Sequence, residues 1–167
     1  HLAHYDSVTG LANRNLFMAH LGHALDRAKR VGSQLAVLFV DLDRFKHIND
    51  AVGHGVGDTV LKLIANRLAG TVRACDVLAR LGGDEFIVLL QGLRTSRQVD
   101  HCSAQIRAEI ARPIPVPGGE CRIEAAVGIA LFPDEGGSAE ALVELADQRM
   151  YQGKRSGRSS GEHPTTS

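Results

Sequence analysis

The chain has 167 residues, and its 19 Lys and Arg balance 19 Asp and Glu, so the formal net charge is zero. This balance argues against a protein that grips a nucleic-acid backbone, which usually needs a basic excess. Hydrophobic residues make up 44% of the chain, which suits one globular domain, and no apolar run approaches the roughly 20 residues of a membrane-spanning helix.

Cysteine and histidine usage argues against a disulfide framework or a zinc site. The three cysteines are an odd number without a CxxC pair, and the eight histidines include no HExxH. We therefore expect free thiols, which fit a reducing cytoplasm. The chain begins abruptly, without a charged-then-apolar signal segment, which favours a piece of a longer protein.

The first part of the chain predicts a helix, a buried strand and a second helix. Residues 13–30 place apolar side chains on one helical face, and the apolar residues 35–40 suit a fully buried strand. We expect this strand to stop at Asp41, so that carboxylates follow it. The glycine-rich residues 53–58 predict a loop, with Asp58 as the N-cap of the next helix.

The middle of the chain predicts a β-hairpin. Apolar runs at 77–81 and 86–90 flank Gly82 and Gly83, and glycine accepts the positive φ that tight hairpin turns require. The two strands would be antiparallel neighbours. Because helices and strands are mixed along the chain, we expect an α+β fold with helices packed on a sheet.

The last part predicts two helices separated by a strand. The helices are expected at about 96–111 and from a cap at Ser138, with a strand at 122–132 and no helix in the proline-rich stretch before it. These elements indicate one domain over residues 1–158. Residues 159–167 are rich in Ser, Gly and Thr and predict a flexible tail or the start of a linker.

Four acidic residues are candidates for metal chemistry. Asp41 and Asp43 end the buried strand, and Asp84 and Glu85 occupy the hairpin tip. If the hairpin lies beside the strand, the carboxylates converge at one edge of the sheet, where hard oxygen ligands suit Mg²⁺ together with substrate phosphates. The alternative is that they are ordinary solvated turn residues.

Two further segments could bind phosphate. Backbone N–H groups of the glycine-rich residues 53–58 could do so, as could the basic cluster Arg149, Lys154, Arg155 and Arg158. Each has a structural alternative. The first could be a plain connection, and the second a basic helix end that complements the helix dipole.

Five motifs in order point to one family. Residues 6–14 read DSVTGLANR, 40–50 read VDLDRFKHIND, 53–58 read GHGVGD, 80–86 read RLGGDEF and 151–158 read YQGKRSGR. In the same order they resemble the DxLTGLxNR, DxDxFKxxND, GHxxGD, GGDEF and YxAKxxGR motifs of GGDEF domains, the diguanylate cyclase family. The glycine in the last motif replaces a usual alanine, which should loosen a helix there.

The resemblance implies a fold and a reaction. The fold is α+β, with a central mainly antiparallel sheet covered by helices, similar to polymerase palms and class III nucleotide cyclases. Two GTP molecules become cyclic di-GMP as each ribose 3′-hydroxyl attacks the α-phosphorus of the other GTP and pyrophosphate leaves twice. A two-fold homodimer would supply the reciprocal half-sites, in the bacterial cytoplasm, with any membrane tether outside this segment.

The metal and catalytic roles also follow from the resemblance. Asp41, Asp84 and the backbone carbonyl of Leu42 should hold Mg²⁺ or Mn²⁺, which neutralises phosphate charge and aligns the attack. Asp84 or Glu85 should assist deprotonation of the 3′-hydroxyl. The resemblance leaves the choice between these two acids open.

The substrate contacts implied by the resemblance come from several motifs. Asn49 and Asp58 should read the guanine, since a carboxylate can accept from its N1–H and N2–H₂ together. The resemblance also implies that the phosphates are bound by Lys46, Lys154 and Arg158. Gly82 and Gly83 should let the backbone approach the nucleotide closely.

A product inhibition site is implied as well. Arg73 and Asp76 fit the family's RxxD motif, five residues before the signature, and should bind guanine and phosphate of cyclic di-GMP with help from Arg80. A surface ion pair is the alternative reading of this short motif.

The main alternative function is a binding module that takes GTP or cyclic di-GMP and controls an adjacent EAL phosphodiesterase domain. Residues 1–6 and 128–133 look like those of such composite proteins, in which sensor domains can also occur. The intact signature favours the cyclase, because degenerate examples usually lose one of its acids. An unrelated polymerase-like nucleotidyltransferase or an adenylyl cyclase forms a third class, which the guanine-reading pair Asn49 and Asp58 disfavours.

Overall fold

The computed structural model describes residues 3–159, with side chains described to residue 156. Within that range the elements in chain order are α1 (Arg14–Val31), β1 (Gln34–Asp43), α2 (Phe45–Val52), α3 (His54–Ala69), β2 (Val77–Gly82), β3 (Glu85–Leu93), α4 (Ser96–Ala111), β4 (Ile114–Val116), β5 (Gly119–Cys121), β6 (Glu124–Phe132) and α5 (Ala139–Ser159). None of these described helices is both long and apolar enough to cross a membrane.

The central sheet has the strand order β2–β3–β1–β6, and every neighbouring pair in it is antiparallel. The predicted hairpin is present as β2 and β3. The proline-rich stretch contains no helix and instead forms the small separate pair β4 and β5. The α+β fold with a mainly antiparallel sheet is therefore confirmed.

Strand β1 lies in the middle of the sheet and is buried on both faces. Its even-numbered residues 36–42 belong to the core that α2, α3 and α4 cover. Its odd-numbered residues 35–39 belong to the core under α1 and α5. Because side chains alternate between the two faces of a strand, Asp41 falls on the α1 and α5 side.

Helix α5 packs unusually close to the sheet. A Cβ added at Gly128 of β6 would lie 2.0 Å from the carbonyl oxygen of Ala146 and 2.3 Å from the amide nitrogen of Met150. Only glycine permits this approach, because real Cβ atoms keep a larger separation from backbone atoms. The contact fixes the helix one turn before Lys154.

The segment between β1 and α3 differs from the sequence-based expectation. Residues 53–58 are not a loop: α3 begins at His54, and only Gly53, with φ 87°, separates it from the unpredicted helix α2. Asp58 lies within α3, so its assignment as the N-cap was wrong. Helix α2 escaped detection because it is short and buries only Phe45, which leaves almost no apolar period in the sequence.

The end of the chain was predicted only in part. Ser138 caps the last helix, since its hydroxyl accepts from the backbone N–H of Ala141 at 3.2 Å. Helix α5 runs to Ser159. Residues 160–167, which make up most of the predicted tail, lie outside the described residues, as does the side chain of Arg158.

Candidate functional site

The hairpin lies beside β1 and brings three acidic residues together. Asp41 pairs in register with Glu85 across β1 and β3. The backbone N–H of Leu42 donates to the carbonyl oxygen of Asp84 at 3.0 Å. The convergence predicted from the sequence is therefore present, and Asp84 and Glu85 are half-buried rather than fully solvated turn residues.

Asp41 is the most buried of these acids, with 7% of its surface exposed. Its Oδ2 atom accepts from Lys154 Nζ at 2.8 Å, and its Oδ1 atom is buried without a hydrogen-bond partner among the described residues. Burial raises the pKa of Asp41, and the charges of Asp84 and Asp43 add to that rise against the opposing effect of Lys154. Asp41 therefore has unused capacity to bind a cation.

Glu85 lies on the same sheet face as Asp41, and its neighbours change its pKa. Burial raises its pKa, and the negative charges of Asp41, Asp147 and Asp84 raise it further, with Arg14 offsetting part of the effect. A carboxylate with a raised pKa accepts a proton more readily than an ordinary one.

The carboxylates of Asp41 and Asp84 fit the chemistry of a divalent cation such as Mg²⁺. Among residues 3–159 no group of three or more His, Cys, Asp and Glu side chains is arranged to hold a metal. Mg²⁺ needs no such cage, because it commonly takes one or two carboxylates with water and phosphate oxygens. Asp41 and Asp84 are hard oxygen donors, and the unpartnered Oδ1 of Asp41 is the atom that a cation would satisfy.

Arg80 stabilises the turn at Gly82 and Gly83 in the GGDEF motif through hydrogen bonds. Gly82 and Gly83 have φ of 137° and 49°, conformations that favour glycine. The guanidinium of Arg80 donates to the carbonyl oxygen of Gly83 from Nε at 3.1 Å and from Nη2 at 2.8 Å. Its Nη1 donates to Asp6 Oδ1 at 2.8 Å.

This contact joins the first motif to the fourth across 74 residues. Asp6 is also bound by the backbone and hydroxyl of Thr9. Sequence reasoning assigned Arg80 only to product inhibition and missed its bonds to the turn. The motif order alone could not reveal them, since the partners are distant in the chain.

The residues assigned to guanine lie on α2 and α3. Asn49 Oδ1 is buried without a hydrogen-bond partner among the described residues. A Cβ added at Gly57 would lie 1.6 Å from that oxygen, so glycine makes room for the amide. Asp58 on α3 and Lys46 on α2 are exposed, and both therefore remain open to a ligand from solvent.

In the RxxD segment, residues 73–76, the side chain of Asp76 binds Arg73. The Asp76 side chain, 1% exposed, is 3.1 Å from Arg73 Nη2. It also accepts from the backbone N–H of Arg73 at 2.9 Å and of Gln91 at 3.1 Å. The ion pair that was the alternative reading is present, while the Arg73 side chain stays 50% exposed and is accessible to a ligand.

Comparison with known proteins identifies the relatives of the chain. A family model described as diguanylate cyclase, GGDEF domain, matches residues 3–160. The diguanylate cyclase TpbB of Pseudomonas aeruginosa is 45% identical over 161 residues, which are 96% of this chain and 37% of TpbB. The cyclic di-GMP phosphodiesterase NbdA of that species is 37% identical over 96% of this chain and 20% of NbdA. The chain thus spans well under half of either relative.

Solved structures agree with the sequence match. The GGDEF domain of TpbB from Pseudomonas aeruginosa gives a TM-score of 0.89 at 45% identity, over 92% of this chain and 90% of that one. The GGDEF domain of DgcB from Caulobacter crescentus, in complex with cyclic di-GMP, gives 0.85 at 30% identity, over 93% and 89%. With its GGDEF turn set against Asp41 and its whole fold matched by these domains, the chain belongs to the diguanylate cyclase GGDEF-domain family.

Proposed function

We propose that this domain is a diguanylate cyclase that joins two GTP molecules into cyclic di-GMP. The observation that carries the proposal is the unaltered GGDEF turn, whose Asp84 and Glu85 lie beside the buried, incompletely satisfied carboxylate of Asp41. The family match and the similarity to a named diguanylate cyclase support the same reaction.

The reaction requires two copies of the domain. The 3′-oxygen of one GTP bonds to the α-phosphorus of the other, the bond between that α-phosphorus and the oxygen bridging to the β-phosphate breaks, and the hydroxyl proton passes to a base. Repeating this step closes the ring and releases two pyrophosphates in total. Since each copy holds one GTP, a two-fold homodimer presents the two reactants to each other.

Asp41, Asp84 and the carbonyl of Leu42 would hold Mg²⁺ or Mn²⁺. When bound, such an ion neutralises phosphate charge and makes the hydroxyl easier to deprotonate. Glu85 or Asp84 would receive the proton. The raised pKa of Glu85, which burial and then the Asp41 charge cause, supports Glu85 for this role.

The substrate contacts proposed are those of guanine and of the phosphates. Asn49, with its unpartnered Oδ1, and the exposed Asp58 would bind the base. The phosphate contacts would come from Lys46, Lys154 and Arg158, with Gly82 and Gly83 allowing a close approach. Product would return to Arg73 and Asp76, with Arg80 assisting, and limit synthesis.

A regulatory module is the second candidate, because a relative that matches nearly the whole chain is named as a cyclic di-GMP phosphodiesterase. In such a protein the domain would bind GTP or cyclic di-GMP and control a neighbouring phosphodiesterase domain. It would then bind nucleotide without making product.

Product analysis distinguishes the two candidates. The purified domain, alone and fused to a dimeric coiled coil, is incubated with GTP and Mg²⁺, and products are identified by mass spectrometry. Cyclic di-GMP from the wild type and from the control Asp100→Ala on α4, but not from Asp84→Ala, supports the cyclase. GTP binding by calorimetry without product from either form supports the regulatory module.

A further inference from the structure

Lys154 places its ammonium beside the buried carboxylate of Asp41. Its Nζ atom is 2.8 Å from Asp41 Oδ2 and 3.6 Å from Asp43 Oδ1, and its side chain is 18% exposed. An ammonium held between two carboxylates is positively charged at neutral pH, because lysine loses its proton only above about pH 10.

A divalent ion and Lys154 compete for the same carboxylate. Magnesium binds oxygen at about 2.1 Å, and an ammonium 2.8 Å from the same carboxylate would then face it at short range. Two like charges so close in a partly buried site repel strongly. A metal ion on the free Oδ1 of Asp41 therefore weakens the bond of the ammonium to Oδ2 and favours its displacement.

The buried Asp41 carboxylate also needs a positive charge beside it to remain stable. A buried charge that loses its partner is strongly destabilising, and Asp41 already has one oxygen without a hydrogen bond among the described residues. The close packing of α5 at Gly128 holds the preceding turn of the helix against the sheet. The flexible stem of Lys154, next to Gly153, can move while the helix stays in place.

We propose that Lys154 is an internal counterion, which neutralises the Asp41 carboxylate through Oδ2 in the nucleotide-free domain and is displaced when a metal binds the same carboxylate. This inference rests on the proposed function, since it takes Asp41 as the metal ligand and phosphate as the new partner of Lys154. It follows that metal alone binds weakly. Nucleotide phosphates give the displaced ammonium a partner, so metal and nucleotide strengthen each other's binding.

The test measures Mn²⁺ binding to the nucleotide-free domain by the electron paramagnetic resonance of the free ion. Lys154→Met is expected to bind Mn²⁺ about tenfold or more tightly than the wild type, because one opposing charge is removed. Lys154→Arg keeps the charge and should bind no more tightly than the wild type. Lys62→Met, which removes a charge from an exposed residue on α3, should leave the affinity nearly unchanged.

A phosphate-bearing ligand should reverse the advantage. With a GTP analogue that cannot release pyrophosphate, Mn²⁺ affinity should rise more in the wild type than in Lys154→Met. Equal or weaker nucleotide-free Mn²⁺ binding by a folded Lys154→Met, checked by circular dichroism, would overturn the proposal. This outcome is separate from the proposed function, because the wild type could still make cyclic di-GMP.

The wild type alone provides a second measurement, which needs no variant to fold. Acetylation of lysines by acetic anhydride is followed by mass spectrometry without Mn²⁺ and with Mn²⁺ at a concentration that saturates the domain in the resonance titration. The ion should accelerate acetylation of Lys154 several-fold relative to Lys62, an exposed lysine on α3. An unchanged ratio would show that the ammonium does not leave Asp41, and would overturn the proposal.

Discussion

Asp41 and Asp76 are both nearly buried and both face a basic side chain, yet they are satisfied to different degrees. Asp76 accepts from Arg73 and from the backbone of Gln91, so both of its oxygens are bonded. Asp41 has one oxygen on Lys154 and one without a partner among the described residues. A saturated carboxylate stabilises its own loop, whereas an unsaturated one costs free energy that a ligand can recover.

The same contrast separates Arg80 from Asn49. Arg80 has its guanidinium bonded to Gly83 and Asp6. Among the described residues, the buried side-chain polar atoms without a hydrogen bond are Asp41 Oδ1 and Asn49 Oδ1. Both belong to residues proposed to bind metal or nucleotide. Incomplete hydrogen bonding therefore marks two of the side chains proposed to bind metal and substrate.

The largest effect is expected from Asp84→Ala. Loss of a metal-binding charge removes several kcal/mol of transition-state stabilisation, which is more than about 10³-fold in turnover. The fold should persist, because the substitution leaves the sheet pairing in place. Turnover is measured by product chromatography and the fold by circular dichroism, with Asp100→Ala as the control. Undiminished synthesis by Asp84→Ala would refute the role of this residue.

Substitutions at Asp76 and Arg73 should affect folding stability and product inhibition to different degrees. Asp76→Ala leaves two backbone N–H groups unpaired and should cost about 2 kcal/mol of unfolding free energy, measured with urea. Arg73→Ala should cost about 1 kcal/mol or less, because its side chain is half exposed, yet should relieve product inhibition. An unchanged inhibition curve for Arg73→Ala would reject the inhibitory site and leave only the structural ion pair.

Gly57→Ala tests the unpaired oxygen of Asn49. A Cβ at Gly57 would displace that side chain, and the loss of one hydrogen bond to the base should weaken GTP binding about tenfold. Gly55→Ala is the matched control, since a Cβ there meets nothing within 4 Å. Calorimetry of both variants decides the point. Equal weakening in the two would indicate a general effect on α3 rather than on Asn49.

Asp6→Asn, which changes a fully bonded carboxylate, should destabilise the fold less than Asp76→Ala, by about 1 kcal/mol at pH 7. Burial raises the pKa of Asp6, but bonds from Thr9 and Arg80 outweigh it and lower the pKa from 3.8. Such a group stabilises the fold above its unfolded pKa and loses that contribution as pH falls through its folded pKa. In urea unfolding, the gap between wild type and variant should therefore shrink below about pH 4. A constant gap would contradict this.

Local patterns predicted the regular elements well. The helix at 13–30 and the hairpin around Gly82 were identified because apolar period and glycine position are local properties. The helix α2 and the start of α3 were missed because Gly53 and its neighbours look like a loop in sequence. There the packing of Phe45 and Leu61 into the core overrides the weak local preference of glycine.

The amino-acid sequence by itself determined the family, the α+β class and the identity of the candidate acids, since motifs and periodicity are properties of neighbours along the chain. Only the tertiary structure decided how those acids are satisfied. Strand register set Asp41 against Glu85, and the close approach of α5 at Gly128 precedes the turn that brings Lys154 to Asp41. Burial and hydrogen-bond saturation depend on contacts between distant residues, which no local pattern encodes.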